Sequence, residues 1–396
     1  MDQSDALRRA NSGVAEPNLI RIPFNRPTFE GNEFTYIQQA LDSWQISGNG
    51  PFTQRCEEEL ETLLGVERAL LTTSCTHALE MSALLLEVGE GDEVIMPSFT
   101  FVSVANAFVL RGARPVFIDI RPDTLNIDEK QLEGLITDRT AAIVPVHYAG
   151  VGCEMDEIME IADRRGVPVV EDNAHGLFGS YKSRNLGTFG KLATLSFHET
   201  KNISCGEGGA LLINDPGLVD RAEIMREKGT DRSQYFRGEV AKYTWRDVGS
   251  SYTPSDILAA VLCAQFENRE WIVKRRHEIW TSYQLELADW AHANGVRQPT
   301  VPAYCESTHH IYFLVLPTQE AQRRLIGGLR EQGILSVFHY QPLHLSAYGS
   351  QISDGKAHLP VTEFVSDRIV RLPLYNHLDE NDLSDVIEAV RGIRVS

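Results

Sequence analysis

Short apolar runs typical of buried strands recur along residues 69–213, with helix-patterned stretches between most of them. The runs cover residues 69–71, 93–96, 114–118, 141–146, 167–170, 193–197 and 210–213. Parallel strands of one sheet must be joined by crossover connections, and these are usually helices. The alternation therefore predicts an α/β fold built on a large, mainly parallel sheet.

The pattern changes after Pro254-Ser-Asp256, where a long helical region begins that extends to about residue 291. Beyond it, strand-like stretches at residues 309–317 and 334–339 flank a helix through residue 330 and indicate a separate α+β unit. A chain of 396 residues suits one large domain plus a smaller one. We expect a flexible polar extension at 1–21, a large α/β domain at 22–253, a linking helical region at 254–291 and a small α+β domain at 292–396.

Charge and cysteine usage exclude several classes of function. The net charge of −18 argues against nucleic acid or an anionic membrane as the main partner. The chain has no apolar run of the roughly 18 residues that a membrane span needs, and its N-terminus lacks the apolar core of a secretory signal. The six cysteines are scattered without a C-x-x-C pair, which indicates reduced thiols in a cytoplasmic protein without a zinc site.

Lys201 has the neighbours of an active-site lysine. It lies between the apolar residues 193–197 and the glycine-rich turn at 206–209, whereas most other lysines lie among charged residues. A lysine near a strand end that projects into a cleft can form a Schiff base with an aldehyde cofactor. The alternative is an ordinary surface lysine on a loop.

A second feature is the carboxylate that ends the buried-type strand Val167-Pro-Val-Val-Glu-Asp172. Ligands of open α/β sheets bind beyond the carboxyl ends of the strands. Asp172 could pair there with the protonated pyridine nitrogen through which pyridoxal phosphate (PLP) acts as an electron sink. The alternative is a carboxylate that caps the next helix.

A third feature is a candidate phosphate site at Ser74-Cys75-Thr76, which follows the strand-like residues 69–73 and opens a helix-patterned stretch over 77–88. Hydroxyls and free N–H groups at a helix N-terminus bind phosphate well. Simple N-capping is the alternative. Each of the three features is weak alone, but a phosphate cradle, a strand-end Asp and a lysine in that order indicate a PLP site.

From about residue 22 to the C-terminus the chain resembles the DegT/StrS-type sugar aminotransferases, which are PLP enzymes of the aspartate-aminotransferase fold (fold type I). The resemblance depends on Ser74-Cys-Thr76, Pro97-Ser-Phe-Thr-Phe101, Pro145-Val-His-Tyr148, Glu171-Asp172, Ser196-Phe197, Lys201, Gly206-Glu-Gly-Gly209 and His339-Tyr-Gln-Pro-Leu-His344. Within the family it is most similar to transaminases that act on TDP-4-keto-6-deoxyglucose. That closer similarity depends on Phe197-His-Glu-Thr-Lys-Asn202, Arg226-Glu-Lys-Gly-Thr230 and Tyr243-Thr-Trp-Arg-Asp247.

The resemblance implies a role for each motif residue. Lys201 would hold PLP and would carry the proton between the amino donor and the cofactor, while Asp172 would keep the pyridine nitrogen protonated. Phe101 would stack on the pyridine ring, with a core phenylalanine as the alternative. The phosphate would be bound by Ser74, by the backbone N–H of Cys75, by Thr76 and by Ser196.

Two positions depart from the family pattern. His175 stands where the family usually has Gln in contact with the phenolic oxygen of the cofactor, and we expect its charge to vary near neutral pH. Gly249-Ser-Ser-Tyr-Thr253 stands where the family often has Gly-x-Asn-Tyr-Arg. Ser251 would replace the Asn that reaches the cofactor phosphate of the neighbouring subunit, and Thr253 lacks the positive charge of the Arg.

The resemblance implies a homodimeric, cytoplasmic enzyme with its active sites at the subunit interface. It would transfer an amino group from L-glutamate to carbon 4 of TDP-4-keto-6-deoxyglucose in ping-pong order. The products would be TDP-4-amino-4,6-dideoxyglucose or -galactose and 2-oxoglutarate. The sequence leaves open the configuration at carbon 4, the pathway and the residues that bind the donor's carboxylates.

Three other functions stay open. One is an aminotransferase that acts on a 3-keto-6-deoxy sugar nucleotide. Another is a PLP-dependent sugar dehydratase of the same family, but those enzymes use His where this chain has Lys201. The third is a non-catalytic PLP-fold regulatory protein, which could lose Lys201 or Asp172 without penalty although both are present.

Overall fold

The computed structural model describes residues 20–353 and 357–395. The flexible extension expected at residues 1–21 falls mainly on residues 1–19, which lie outside the described residues. Within the described ranges, none of the helices is both long and apolar enough to cross a membrane.

The centre of the molecule is a twisted sheet in the order β3–β2–β4–β5–β8–β9–β1. The strands of the described residues are β1 (Arg68–Thr72), β2 (Glu93–Pro97), β3 (Arg114–Ile118), β4 (Thr140–Ile143), β5 (Val170–Asp172), β6 (Ser180–Tyr181), β7 (Arg184–Asn185), β8 (Leu192–Ser196), β9 (Gly209–Ile213), β10 (Cys305–Glu306), β11 (Tyr312–Val315) and β12 (Ile369–Leu372). Two parallel bridges, Ile143 to Val169 and Val146 to Asp172, join β4 to β5. Only β9 is antiparallel to its neighbours in this sheet, so the described strands form the mainly parallel sheet that the sequence predicts.

Helices cover both faces of the sheet. The α-helices of the described residues are α1 (Glu33–Asp42), α2 (Pro51–Leu64), α3 (Cys75–Leu85), α4 (Val102–Val109), α5 (Glu129–Leu135), α6 (Met155–Arg165), α7 (Val219–Arg226), α8 (Arg232–Phe236), α9 (Asp256–Glu267), α10 (Arg269–Glu286), α11 (Ala288–Ala293), α12 (Gln319–Glu331), α13 (Gly349–Ile352), α14 (Pro360–Ser366) and α15 (Glu380–Gly392). Alternate strand residues point to opposite faces. Leu70 and Leu211 accordingly pack on the side of α3, and Leu71 and Leu212 pack on the side of α2 and α9.

Two prolines shorten the strands relative to the apolar runs. The runs at residues 141–146 and 167–170 contain Pro145 and Pro168, which have no N–H to donate to a ladder. The strands β4 and β5 therefore cover only Thr140–Ile143 and Val170–Asp172. Beyond them the chains stay adjacent through single hydrogen bonds, such as the one from the Asp172 N–H to the carbonyl of Pro145 (2.9 Å).

The helical region that follows Pro254 consists of three helices, α9, α10 and α11, rather than one. Ser255 caps the first of them, since its hydroxyl accepts the N–H of Ile257 at 3.3 Å. The two breaks occur at Asn268 and Leu287, each of which ends one helix and precedes the next.

The C-terminal unit is built on the antiparallel pair β11–β12, in which Phe313 lies opposite Arg371. The helices α12 and α15 cover this pair, and Tyr283 of α10 and Ile22 join the same apolar cluster. One edge of the pair continues through a bridge between Val337 and Arg371. This edge places Arg371 next to the cleft between the C-terminal unit and the central sheet.

Candidate active site

The predicted site residues other than Ser251 meet in one cavity of about 970 Å³. It lies at the carboxyl ends of β5 and β8, whose last residues are Asp172 and Ser196, which is where open α/β sheets bind ligands. The predicted residues that line it are Ser74, Cys75, Thr76, Phe101, Asp172, His175, Ser196 and Lys201. A smaller depression of about 500 Å³ near Leu64 and Arg184 contains none of them.

The N-terminus of α3 opens into this cavity. Ser74 is its N-cap, and the Ser74 hydroxyl accepts the N–H of His77 at 3.2 Å. The N–H groups of Cys75 and Thr76 lie in the first turn, where no intrahelical acceptor exists, so they are available to a ligand. The Thr76 hydroxyl lies 2.8 Å from the hydroxyl of Ser103. Free N–H groups and hydroxyls at a helix N-terminus can hold a phosphate dianion.

Gly209, the first residue of β9, allows the sheet to approach this helix terminus. A Cβ atom at Gly209 would lie 2.4 Å from the nitrogen of Cys75 and 2.4 Å from the carbonyl carbon of Ser74. No side chain fits at that position without displacing the backbone of the first turn.

Asp172 is buried at the end of β5, and its Oδ1 accepts the N–H of Ala174 at 3.0 Å. Burial raises the pKa of this carboxyl. The hydrogen bond from Ala174 and the charges of Lys201 and His147 oppose that shift. A buried carboxylate that accepts one hydrogen bond from the described residues is well placed to pair with a cationic group of a ligand.

The preceding residue, Glu171, has a structural task instead. Its carboxylate accepts the N–H groups of Gly187, Phe189 and Gly190 at 2.7–2.9 Å. It also lies 2.9 Å from the Nε2 of His147, and both side chains are fully buried. The two adjacent carboxylates therefore have different roles. Glu171 fixes the loop beside the strand, whereas Asp172 faces the cavity.

Lys201 lies in the loop after β8, where its N–H donates to the carbonyl of His198 at 2.9 Å. Its side chain lines the cavity. Burial lowers the pKa of Lys201 to about 8, while the charges of Cys75 and Asp172 oppose that shift and Arg371 adds to it. A minor fraction of this amine, larger than for an exposed lysine, is therefore neutral and nucleophilic near physiological pH.

His175 is packed among other rings, with its centroid 4.3 Å from that of His310 and 6.4 Å from that of His339. Its Nδ1 is fully buried and has no hydrogen-bond partner among the described residues. Burial lowers the pKa of His175 well below its usual value, and the charges of Lys201 and Arg371 add to the shift. The direction of this shift favours the neutral imidazole, so a charge that varies near neutral pH is disfavoured, and the spectral titration described in the Discussion tests it.

Two of the predicted site residues, Phe101 and Ser251, are exposed to solvent. Phe101 is the N-cap of α4, is 57% exposed and has its ring centroid 6.5 Å from that of Tyr340. Ser251 lies outside the cavity on an exposed segment that forms a bridge with Glu227. Ser251 is predicted to contact the cofactor phosphate of a neighbouring subunit, and this contact stays a prediction.

Sequence analysis missed a connection between the lysine loop and the C-terminal unit. Asn202, the residue after Lys201, donates its Nδ2 to the carbonyl of Thr308 at 2.8 Å. Its Oδ1 must then accept from the Nδ1 of His310, which lies 2.8 Å away. Asn202 stands inside a motif that carried the family resemblance, but nothing local in the sequence identifies its partners.

Arg371 and His339 were also missed. His339 Nδ1 lies 2.7 Å from the hydroxyl of Tyr148, and both belong to motifs of the resemblance to which no role was assigned. Arg371 lines the cavity from β12. The available signal was a charged residue inside the short apolar run Ile369-Val-Arg-Leu372.

These groups fit PLP. The first turn of α3 suits its phosphate, the carboxylate of Asp172 suits a protonated pyridine nitrogen, and the amine of Lys201 suits an aldehyde. The buried ring nitrogen of His175 that has no protein partner among the described residues suits a ligand oxygen. Within the described ranges, no group of three or more His, Cys, Asp or Glu side chains is arranged to hold a metal ion.

Residues 27–391 match the DegT/DnrJ/EryC1/StrS aminotransferase family. The spore coat polysaccharide biosynthesis protein SpsC of Bacillus subtilis is 33% identical over 380 residues, which cover 94% of this chain and 97% of SpsC. The structure of the aminotransferase TlmJ from Streptoalloteichus hindustanus aligns with a TM-score of 0.86 at 32% identity, over 93% of this chain and 98% of TlmJ. The PLP form of Spr1654 from Streptococcus pneumoniae aligns with a TM-score of 0.86 at 26% identity, over 93% and 97% of the two chains.

Proposed function

Because this chain belongs to the DegT/DnrJ/EryC1/StrS aminotransferase family and is a PLP-dependent sugar aminotransferase, we propose that it aminates carbon 4 of TDP-4-keto-6-deoxyglucose with L-glutamate as the donor. The products are TDP-4-amino-4,6-dideoxyglucose or its galactose epimer, and 2-oxoglutarate. The family, the fold class and the cofactor that the sequence predicts are confirmed. The sugar, the donor and the role of each site residue belong to the proposal.

The observation that carries the proposal is the placement of the substrate-specific motif around Lys201. His198 and Thr200, from Phe197-His-Glu-Thr-Lys-Asn202, line the cavity together with Lys201 and Asp172. His198 Nε2 also lies 3.7 Å from Glu207 Oε1 at the same wall. We infer that these polar groups bind the hydroxyls of the sugar, and their position in the cavity beside Lys201 supports this.

Bound PLP supplies an electron sink for the negative charge that develops when the donor's α-carbon loses its proton. Lys201 anchors the cofactor and then moves that proton at its Nζ, a task that suits an amine with a pKa lowered to about 8. Asp172 holds the proton on the pyridine nitrogen, and the first turn of α3 binds the phosphate. Ser196 at the end of β8 adds a hydroxyl to the phosphate site.

The purified enzyme, given PLP, L-glutamate and TDP-4-keto-6-deoxyglucose, should yield a TDP-4-amino-4,6-dideoxyhexose that mass spectrometry detects. NMR coupling constants at carbon 4 assign the epimer. The 3-keto isomer should be a poor substrate, because groups that bind the missing hydroxyl are left unpaired. The Lys201→Ala variant is the negative control. Efficient amination of the 3-keto sugar without the 4-keto sugar would contradict the substrate assignment.

The proposed enzyme is a cytoplasmic homodimer with its active sites at the subunit interface. Large apolar side chains are exposed in the single chain, namely Phe34, Trp44, Phe236 and Trp245, with 81%, 92%, 66% and 82% of their surface accessible. Each of these side chains would be removed from water if a second subunit covered it, which supports the proposed dimer. Ser251 is exposed on the segment that follows Trp245 and would contact the cofactor phosphate of the neighbouring subunit.

A further inference from the structure

His310 is a buried histidine of the active-site cavity whose ring is held from more than one side. Its Nδ1 lies 2.8 Å from the Oδ1 of Asn202, the residue that follows Lys201. Its ring centroid lies 4.3 Å from that of His175, and its carbonyl accepts a hydrogen bond from Arg276. The position of the imidazole is therefore set before any ligand arrives.

The hydrogen bonds of Asn202 determine which nitrogen of His310 carries the proton. Asn202 Nδ2 donates to the carbonyl of Thr308 at 2.8 Å, so the other atom of the amide is its oxygen, which only accepts. The Nδ1 of His310 must therefore donate to that oxygen. Burial lowers the pKa of His310 well below its usual value, and the charges of His175 and Lys201 add to the shift, which favours the neutral ring. A neutral imidazole with its proton on Nδ1 has an acceptor lone pair on Nε2.

The Nε2 of His310 is open to a ligand. It makes no hydrogen bond within the described part of the chain, and it is not one of the fully enclosed atoms that lack a partner, a group to which His175 Nδ1 belongs. His310 lines the cavity, so the accessible nitrogen faces that space. A ligand that brings an N–H or O–H group satisfies such an acceptor.

The other histidines of the cavity differ from His310 in this respect. His198 has the opposite tautomer, since its Nδ1 accepts a main-chain N–H at 3.3 Å and its Nε2 then carries the proton. The Nδ1 of His175 has no partner among the described residues, and that of His339 meets the hydroxyl of Tyr148, which can donate or accept. Among the described residues that line the cavity, His310 is therefore the histidine whose free nitrogen is set as an acceptor.

We propose that the Nε2 of His310 accepts a hydrogen bond from the hydroxyl on carbon 3 of the sugar. This assignment rests on the proposed function, because it concerns the sugar of the same reaction. L-Glutamate does not match this nitrogen, since its carboxylates only accept hydrogen bonds and its amine is consumed in the reaction. The sugar, in contrast, brings hydroxyl donors.

The hydroxyl on carbon 3 is favoured over the others because it is attached next to the reacting carbon. Asn202 holds His310 beside Lys201, which carbon 4 must approach. Of the two ring neighbours of carbon 4, only carbon 3 carries a hydroxyl. A carbonyl at carbon 3 would instead place an acceptor against the Nε2 lone pair, so the same residue accounts for the expected rejection of the 3-keto sugar.

A binding measurement tests the contact without turnover. TDP-glucose and TDP-3-deoxyglucose differ in the one hydroxyl and have no keto group to react. Each is titrated by calorimetry into the enzyme loaded with pyridoxamine phosphate. Wild type should bind TDP-glucose at least about tenfold more tightly, because the 3-deoxy sugar leaves the acceptor unpaired.

Three variants of the enzyme identify the residue responsible. His310→Phe keeps a ring without an acceptor and should bind the two sugars within about threefold of each other. His310→Gln keeps an acceptor in its amide and should retain an intermediate preference. His309→Asn is the matched control, since His309 is the preceding residue and does not line the cavity. It should keep the preference of wild type to within about twofold.

The two half-reactions separate sugar recognition from a structural role. The first is measured by stopped-flow absorbance on the PLP-loaded enzyme mixed with L-glutamate, and in His310→Phe it should stay within about threefold of wild type. The second is measured on the enzyme loaded with pyridoxamine phosphate and mixed with TDP-4-keto-6-deoxyglucose. There the apparent Kd for the sugar should rise at least about tenfold in His310→Phe.

Three outcomes would overturn the inference. They are equal binding of the two sugars by wild type, a preference that persists in His310→Phe, and an equal loss of both half-reactions in that variant. Failure of the proposed function looks different. An enzyme that prefers TDP-glucose through His310 but does not aminate the 4-keto sugar would keep this inference and lose the reaction. A protein that neither binds TDP-glucose nor aminates the 4-keto sugar would lose both.

Discussion

Lys201 is an ammonium group that burial has made easy to deprotonate. With its pKa lowered to about 8, roughly a tenth of the amine is neutral at pH 7, whereas an exposed lysine would be almost fully charged. Raising the pH removes the proton and increases the nucleophilic fraction.

We therefore predict that the rate of PLP uptake by the cofactor-free enzyme rises about tenfold between pH 7 and pH 9 and then levels off. Stopped-flow absorbance of the bound cofactor measures this rate. A rate that still climbs in proportion to hydroxide above pH 9 would show that the pKa of Lys201 is not lowered.

Asp172→Asn tests the partner of the pyridine nitrogen. The amide keeps the size of the side chain and its acceptor for the Ala174 N–H, but it cannot hold a cationic proton. We expect the thermal midpoint to change little and turnover to fall more than tenfold, which corresponds to over about 1.4 kcal/mol of barrier. A variant that keeps more than a tenth of wild-type turnover would mean that another residue holds the ring proton.

His175→Gln tests whether the imidazole acts as a neutral hydrogen-bonding group. Because the pKa of His175 is lowered well below its usual value, histidine and glutamine should both be uncharged at neutral pH. We predict turnover within about threefold of wild type and the same pH profile of the cofactor's absorbance between pH 6 and pH 8. If the cofactor absorbance of the wild type titrates near pH 6.5 and that of the variant does not, the imidazole takes up a proton in the loaded enzyme.

The residues that the sequence identified share a local signature. Asp172 ends an apolar run, Lys201 precedes a glycine-rich turn, and Ser74 precedes a helical pattern. Arg371 is marked only by its charge inside a short apolar run, and the partners of Asn202 have no local signature. Asn202 reaches these partners through contacts that span more than one hundred residues of chain, and a single sequence does not reveal contacts of that kind.

At the scale of elements, the site depends on the close contact between the start of β9 and the N-terminus of α3. Gly209→Ala would place a methyl group 2.4 Å from the Cys75 nitrogen, so the first turn of the helix must move. We predict a loss of about 1–3 kcal/mol of unfolding free energy and weaker PLP binding, measured by denaturant titration and by cofactor titration. Gly134→Ala is the control. Gly134 lies in α5 with no atom near its virtual Cβ, and alanine there should be neutral or stabilising.

If Gly209→Ala binds PLP as tightly as Gly134→Ala, the position of the first turn does not determine phosphate affinity.

The strands themselves could be predicted from apolar periodicity, and each apolar run corresponds to a strand of the central sheet. The ends of these strands could not be predicted from the periodicity, because Pro145 and Pro168 interrupt the hydrogen-bond ladders without interrupting the apolar runs.

At the scale of the molecule, the exposed Trp245 and the exposed Ser251 belong to one segment, residues 245–251, which is joined to residues 227–230 by bridges at both of its ends. We predict that the protein sediments as a dimer of its 44.3 kDa chain. Trp245→Ser should shift the equilibrium toward monomer and weaken PLP binding in parallel, because the same segment would serve the neighbouring active site. Analytical ultracentrifugation with cofactor titration measures both. A wild-type protein that is monomeric at micromolar concentration and still binds PLP would contradict this arrangement.

The pairing of β1 with β9 has a consequence for how the enzyme matures on the ribosome. Residues 68–72 find their partners only at residues 209–213, so the sheet edge that carries the phosphate site stays open until more than half of the polypeptide has emerged. Arg371 is synthesised later still. Long-range pairings of this kind form slowly, and the growing chain exposes apolar surface in the meantime. The cofactor can therefore be captured only after more than half of the polypeptide has emerged, and it cannot stabilise the earlier stages of synthesis.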